Sequence, residues 1–455
     1  MIEQEVPSFP IYITLPVCGV TLLLVLVQVW QLRDSCAAFL MLATWFRYSI
    51  ATFHQYTYPP IIFGLSPIAL TSIAVVAIGL AVIGLRNLLL RRLVPFYGII
   101  LVIFLSAVAN EAWIGAANAT LKWLYLIVFA VAANRAMRRL GSERVLRSFA
   151  VVFAAPIVLQ WLSVPWGLAA TNEDKSISFL GGYQSQQSLS IIFLTFLYVT
   201  CFSRWLSVTA SYPRLAISMT GIVLANYRTV LLASALPAAS LAVSKFIGKF
   251  DARQRSVVFV FLSVVTVFVF VGVASLAQNR FADIGTTVDK GASLIQAPEY
   301  FTTDERRLFS GRAYLWSEYI DAYLQGNVIN LLVGFGPETW VGRFRTYAHN
   351  TFVSYLYELG LFGLAALIWL LLSNFLTALR MAGEERLILT SCHIGFFVLN
   401  LATMPIWTLE GAILYALLLS HTWYLHSIRM ADTEASHTRI RSRVNAFGDV
   451  SMQRR

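Results

Sequence analysis

Charged side chains are scarce in this sequence: 34 Lys and Arg and 23 Asp and Glu make up only 13% of its 455 residues. An average soluble chain carries about twice that share. Cysteine is scarcer still. The four present, Cys18, Cys36, Cys201 and Cys392, all lie inside apolar runs, where a thiol behaves as a small buried hydrophobe. A disulfide scaffold, a metal ligand set of cysteines and redox chemistry lose their material basis. Disorder and a collagen-like chain are excluded by the opposite bias, since 58% of the residues are hydrophobic, too many for an ordinary soluble domain as well.

That apolar content, about 264 residues, matches what thirteen membrane spans need. A helix of about 20 residues crosses the hydrocarbon core of a bilayer, so thirteen spans use about 260. The sequence therefore predicts an all-α polytopic integral membrane protein of about 12–13 transmembrane helices, with no apolar material left for a second globular core. The spans fall near 10–30, 36–54, 66–85, 93–112, 120–135, 149–168, 188–203, 214–227, 229–246, 257–278, 351–373, 388–406 and 411–427. The pair at 214–246 has almost no loop between its members and reads either as two short helices or as one helix broken near Asn226 to Thr229.

Cytoplasmic loops carry the excess of Lys and Arg, and here the basic residues alternate from loop to loop. Arg86, Arg91 and Arg92 fall on one side with Arg135, Arg138, Arg139, Arg144 and Arg147, with Lys245, Lys249, Arg253 and Arg255, and with Arg439, Arg441 and Arg443 of the tail. The opposite short loops, 55–65 and 407–410, hold no Lys or Arg. This places the basic tail, 428–455, in the cytoplasm and, with thirteen spans, the acidic N-terminus (Glu3, Glu5) outside. The first apolar run is too long for a cleavable signal and has no basic segment before it. Topology thus accounts for most of the net charge of +11, and because no single basic stripe forms, a nucleic-acid partner is not expected.

Four regions follow: spans and short loops over 1–278, a long outer loop over 279–350, further spans over 351–427, and the tail. Loops as long as 279–350 are usually functional. Its first part, 279–307, is polar and turn-rich, suited to a flap. From Ser310, SGRAYLWSEYIDAYLQGN places Tyr314, Leu315, Tyr319, Ala322 and Tyr323 at helical spacing, which predicts an amphipathic helix on the membrane surface. A turn, LLVGFGPETW, follows with Gly334, Gly336 and Pro337 before RFRTYAHN re-enters the membrane.

Candidate site residues come from the few polar groups near the outer face. His349 and Asn350 stand where the loop re-enters, Arg312 opens the loop helix, and Arg228 lies between two short apolar helices in ANYRTVLLAS. An Arg at such depth is costly and is usually retained for a polar pathway or an ionic ligand, although one near a span end also reads as snorkelling to the headgroups. Arg280, Arg306, Arg307, Arg343 and Arg345 are weighed as plain surface charges, with Arg280 kept as a candidate for substrate binding. His349 has interfacial capping as its alternative. His393, His421, His426 and His437 fall in the last two spans or the tail, and His54 sits at an outer span end beside Tyr56 and Tyr58.

The run SGRAYLW (310–316), the turn GFGPETW (334–340) and AHNTFVSYLYELGLFG (348–363), with ANYRTVLLA upstream, resemble the signature of the O-antigen ligase and Wzy-type polysaccharide polymerase superfamily. Asn226 stands where the family commonly has Ser, and the likeness covers about residues 214–375. The resemblance implies a membrane glycosyltransferase of the GT-C type. Such an enzyme takes a saccharide from an undecaprenyl diphosphate carrier on the periplasmic face of the bacterial inner membrane and joins it, with inversion and without a metal or other cofactor, to a sugar hydroxyl on a second glycan.

The residues suit that chemistry. A lipid diphosphate leaves readily if planar, permanent cations stabilise its charge, the role assigned to Arg228 and Arg312. An imidazole is a suitable general base for the acceptor hydroxyl, the role assigned to His349, with neighbouring Arg keeping it neutral. Asn350, Trp316, Tyr183, Gln187 and His54 are candidate sugar contacts, with Gln184 and Gln186 beside them. Glu358, Gly360 and Gly363 read as structural, Glu358 as a cap or an Arg partner, and Arg47 inside the second span requires a partner. No Asp-x-Asp or Glu-x-Asp pair occurs in the outer loop, so nothing calls for a metal.

Polymerisation of lipid-linked repeat units into exopolysaccharide or O-antigen is the leading expectation, favoured by segment 46–72. A ligase moving polymer onto the lipid A core is its nearest rival. A transporter or flippase, or a noncatalytic assembly protein, is the alternative of another class, against which stand the absence of an internal repeat and the size of the outer loop. Expected partners are the lipid-linked donor and acceptor glycans and the bilayer, together with a chain-length regulator and a flippase.

Overall fold

A computed structural model describes residues 7–452 apart from 63, 172–175, 204–205, 248–249, 252–253, 255–256, 258–295, 304 and 307–310. The chain is an all-α polytopic membrane protein. Among the described residues eight helical stretches are long and apolar enough to cross a membrane: Ile11–Leu32, Ser35–Thr57, Arg91–Asn110, Trp113–Leu140, Ser142–Ser163, Arg228–Phe246, Thr351–Leu379 and Gly383–Ala402. Pro67–Ile83 and Gln186–Phe202 are shorter apolar helices, and Val208–Ala225 and Leu409–Met452 complete the bundle. Helices therefore occupy twelve of the thirteen expected positions, eight of them with the length and composition of a full span. The expected span at 257–278 lies outside the described residues.

Capping explains several helix starts. Asp34 accepts from the Ala37 amide at 2.9 Å, and Ser66 and Ser185 cap the helices that follow them, each satisfying an amide that has no partner within its helix. The doubtful segment at 214–246 is two helices, Val208–Ala225 and Arg228–Ile247. Asn226 ends the first in a left-handed conformation, φ 57°, one of the few that a short polar side chain tolerates.

The centre of the bundle is the helix Gln186–Phe202, buried over almost its whole length, with Val208–Ala225, Arg228–Ile247 and the start of Leu409–Met452 packed around it. At the rim, Ile11–Leu32 leaves Ile11, Leu15, Leu23 and Trp30 exposed, as a face turned to lipid requires. Arg47, which needed a partner inside its span, has one across the bundle. Its Nη2 lies 2.8 Å from Glu410 Oε1 and its Nε donates to the same oxygen at 3.0 Å.

A two-stranded hairpin departs from the all-helical expectation: Ala169–Thr171 pairs antiparallel with Ile177–Phe179 in the connection before Gln186. The loop helix is present as Arg312–Leu324, followed by Val328–Val333. Its apolar face, expected on the membrane surface, is taken by the protein instead. Leu315, Tyr319 and Tyr323 are buried in a small cluster; Tyr319 stacks on Phe344 at 3.9 Å and meets Tyr357 edge-on at 5.3 Å. Aromatic neighbours from later in the chain outcompete lipid for that face, because ring pairs add to simple area burial.

Candidate functional site

The Gly-x-Gly turn and the re-entry helix Thr351–Leu379 interlock by backbone. The helix is kinked at Gly360 (φ 66°, ψ −164°), which frees carbonyls for outside partners. Phe335 N donates to Tyr357 O at 3.0 Å and Gly336 N to Glu358 O at 3.1 Å. A Cβ at Gly334 would stand 2.2 Å from the Glu358 carbonyl carbon, and one at Gly360 2.5 Å from that of Leu332. Only glycine permits this approach with positive φ. Among the described residues Glu358 finds no Arg: its carboxylate accepts from Ser354 Oγ at 2.5 Å and from Glu338 N at 2.6 Å. It thus fastens the loop to the helix.

His349 sits beside that joint, two residues before the helix. It is a non-glycine residue at φ 50°, in a region that costs of order 1–3 kcal/mol and recurs at functional sites. Its neighbours hold it there. Trp316 Nε1 donates to the Ala348 carbonyl at 2.8 Å, Asn350 Oδ1 caps the helix by accepting from Phe352 N and Val353 N at 2.9 and 3.2 Å, and the Tyr347 ring lies 4.0 Å from the imidazole. Trp316 and Asn350 therefore hold the backbone on either side of His349.

The imidazole is half-buried and its Nδ1 is buried with no hydrogen-bond partner among the described residues. Burial, and secondarily the Arg312 guanidinium, lowers its pKa to about 4, so at neutral pH it is uncharged with a lone pair to offer. The sequence points to a cation as what keeps it neutral; desolvation is the larger cause. Tyr347 is pushed up to about 12 by burial and by the nearby Tyr227, against the opposing pull of Arg312. The electrostatics thus join Arg312, Tyr347 and His349 to Tyr227, the residue before Arg228. Arg228 opens its helix at the Asn226 break and is half-buried.

Beside Tyr347 lies a cavity of about 240 Å³, lined also by Lys122, Gln187, Glu338, Trp340, Glu358, Met404, Trp407 and Thr408. Gln187, in the first turn of the central helix, reaches it. Tyr183 and His54 serve elsewhere: the Tyr183 hydroxyl, 1% exposed, donates to the Tyr48 carbonyl at 2.9 Å, and His54 Nδ1–H donates to the Gly182 carbonyl at 2.9 Å. Both bind the 180–187 connection to the second helix instead of facing a ligand. Arg280 lies outside the described residues.

Sequence reasoning passes over Lys122, Glu338, Trp340, Tyr347 and Trp407. Lys122 is legible as a lone cation inside an apolar span. It lies 3.0 Å from Glu338 Oε1 and 5.1 Å over the Trp407 ring, while Asn118 also donates to Glu338. Among the described residues no group of three or more His, Cys, Asp or Glu is placed to hold a metal ion.

Fold and site define a polytopic helical membrane protein whose polar residues gather where a helical loop joins the bundle. Residues 214–368, about a third of the chain, match the family described as O-antigen ligase, over the same stretch in which the motifs resemble that family. No curated protein matches the chain.

Proposed function

We propose that the protein is a metal-independent, inverting GT-C glycosyltransferase that polymerises undecaprenyl-diphosphate-linked repeat units into exopolysaccharide or O-antigen at the periplasmic face of the bacterial inner membrane. The observation that carries this is His349: a neutral imidazole in a strained backbone conformation, beside a guanidinium, with a buried ring nitrogen that no group among the described residues satisfies. An unmet buried polar atom costs about 1–3 kcal/mol. A substrate hydroxyl donating to it removes that cost and starts its own deprotonation. The oxygen then attacks the anomeric carbon, the bond to the diphosphate breaks, and Arg312 with Arg228 takes up the charge that develops there. The proton is left on His349.

A ligase reading, transfer of finished polymer to the lipid A core, is supported by the description of the matching family and differs only in acceptor. The test is polymer formation from purified protein and lipid-linked repeat unit in vesicles. His349→Ala should lower the rate by about 10²–10⁴-fold, the usual contribution of a general base, and EDTA should leave it unchanged. Full activity in the His variant removes the general-base role. In cells, a deletion that leaves single repeats on the acceptor supports polymerisation, whereas polymer accumulating on the carrier lipid supports ligation.

A further inference from the structure

The cavity beside Tyr347 has a chemistry of its own. Its volume of about 240 Å³ lies below the roughly 300–1,000 Å³ of sites for drug-sized ligands, so it holds one sugar ring and not an oligosaccharide. The Lys122–Glu338 pair, 3.0 Å apart, sets a donor beside an acceptor, the complement of neighbouring hydroxyls, each of which both donates and accepts. Trp407 Nε1 is buried with no partner among the described residues, a further donor that a ring or hydroxyl oxygen would satisfy. Trp340, edge-on to Tyr347 at 6.0 Å, supplies an aromatic wall.

The charge of the lining is selective. Two carboxyl groups, Glu338 and Glu358, face one ammonium, Lys122, which Glu338 already engages. A uronic acid entering here would meet the Glu338 carboxylate without a free cation among the described residues, and like-charge contact in a desolvated pocket is costly. Tyr347 walls the cavity on one side and contacts His349 on the other. The sugar held in the cavity is therefore adjacent to, and not identical with, the sugar whose hydroxyl meets the base.

We infer that this cavity is an acceptor subsite for a single neutral pyranose, next to the ring that carries the attacking hydroxyl, with Lys122, Glu338 and Trp340 as its specificity-determining residues. The inference rests on the transferase reading of His349. The experiment measures initial rates in vesicles with two synthetic acceptors, lipid-diphosphate-linked trisaccharides whose penultimate sugar is either a neutral hexose or the matching hexuronic acid. Wild type should favour the neutral acceptor by at least tenfold in kcat/KM. Glu338→Gln should cut that preference at least threefold, and Trp340→Ala should raise the neutral acceptor's KM about tenfold with kcat and the donor's KM within twofold.

A merely structural role would lower both acceptors' rates equally and leave the ratio intact, which overturns the assignment. So does a change in donor KM in place of acceptor KM. If wild type transfers no sugar to either acceptor, the transferase reading itself fails and the subsite falls with it. Transfer that persists with unaltered selectivity in the variants removes the subsite alone.

Discussion

His349 is ordinary as a residue type and unusual in its setting. An imidazole with pKa about 4 in place of 6.5 remains about 90% unprotonated at pH 5, whereas an unshifted one would be about 3% unprotonated there. Because the pKa is depressed, the active neutral form is lost only as pH falls towards 4. The acid limb of kcat/KM for the wild-type enzyme should accordingly lie well below pH 6. Replacing Arg312 by Gln removes one of the two causes of the depression and should shift that limb to higher pH, beyond whatever it costs in diphosphate binding; a limb unmoved in the variant would show that the guanidinium does not act on the base. Arg47 offers a second test at this scale. Glu410, its side chain 1% exposed, is the partner that the second span required. Glu410→Ala leaves a cation buried and unpaired, for which about 3–5 kcal/mol of lost stability is expected. Arg47→Met combined with Glu410→Leu should recover most of it in thermal unfolding of detergent-solubilised protein. The need for a partner is plain from the sequence, but its identity is not, because Glu410 lies 363 residues further on and helix order in space is set by packing that no local pattern records.

At the scale of elements the turn 334–337 and the kink at Gly360 act as one joint. The motif glycines are visible in the sequence, where Gly334 and Gly336 read as a turn and Gly360 as structural. The structure gives them a more specific role, in which backbone meets backbone between two segments that sequence shows only as separate motifs. Gly334→Ala meets both the 2.2 Å clash with Glu358 and a positive φ; it should cost at least about 3 kcal/mol and release the loop, together with His349. Gly98 is the control. In the helix Val94–Asn110 an added Cβ would touch only the Trp369 ring, at 3.6 Å, so Gly98→Ala should be neutral or stabilising by up to about 1 kcal/mol. Equal losses for the two variants would mean that the joint has no special place in the fold. The loop helix 312–324 is a related case. Its periodicity is legible and its buried residues fall on the expected face, whereas the choice between lipid and protein for that face depends on Phe344 and Tyr357, which the helix cannot announce.

For the whole molecule, apolar length fixes where the helices are, and the distribution of cations says which end is which. In the folded chain several of the loop cations reach neighbouring helix ends. Arg135 donates to the Ile83 carbonyl, Arg139 to Asp34 at 3.1 Å, Arg144 to the Gln31 carbonyl at 2.9 Å and Arg92 to the Trp423 carbonyl at 2.7 Å. These contacts join the basic ends of helices to one another. The segment 403–408, which holds no Lys or Arg, lines the cavity instead, where Lys122 is the one cation among the lining residues. On the positive-inside bias we propose that the cavity faces the periplasm, a sidedness that labelling can check directly. All four native cysteines are buried, so a membrane-impermeant maleimide has little to react with in wild type. Val341→Cys, at a position 65% exposed on the loop, should label in intact spheroplasts, while Leu89→Cys, at a position 83% exposed between Pro67–Ile83 and Val94–Asn110, should label only after permeabilisation. Because a lipid diphosphate glycan can be joined only on the side where it is presented, the reverse pattern would place His349 in the cytoplasm and remove the chemistry proposed for it.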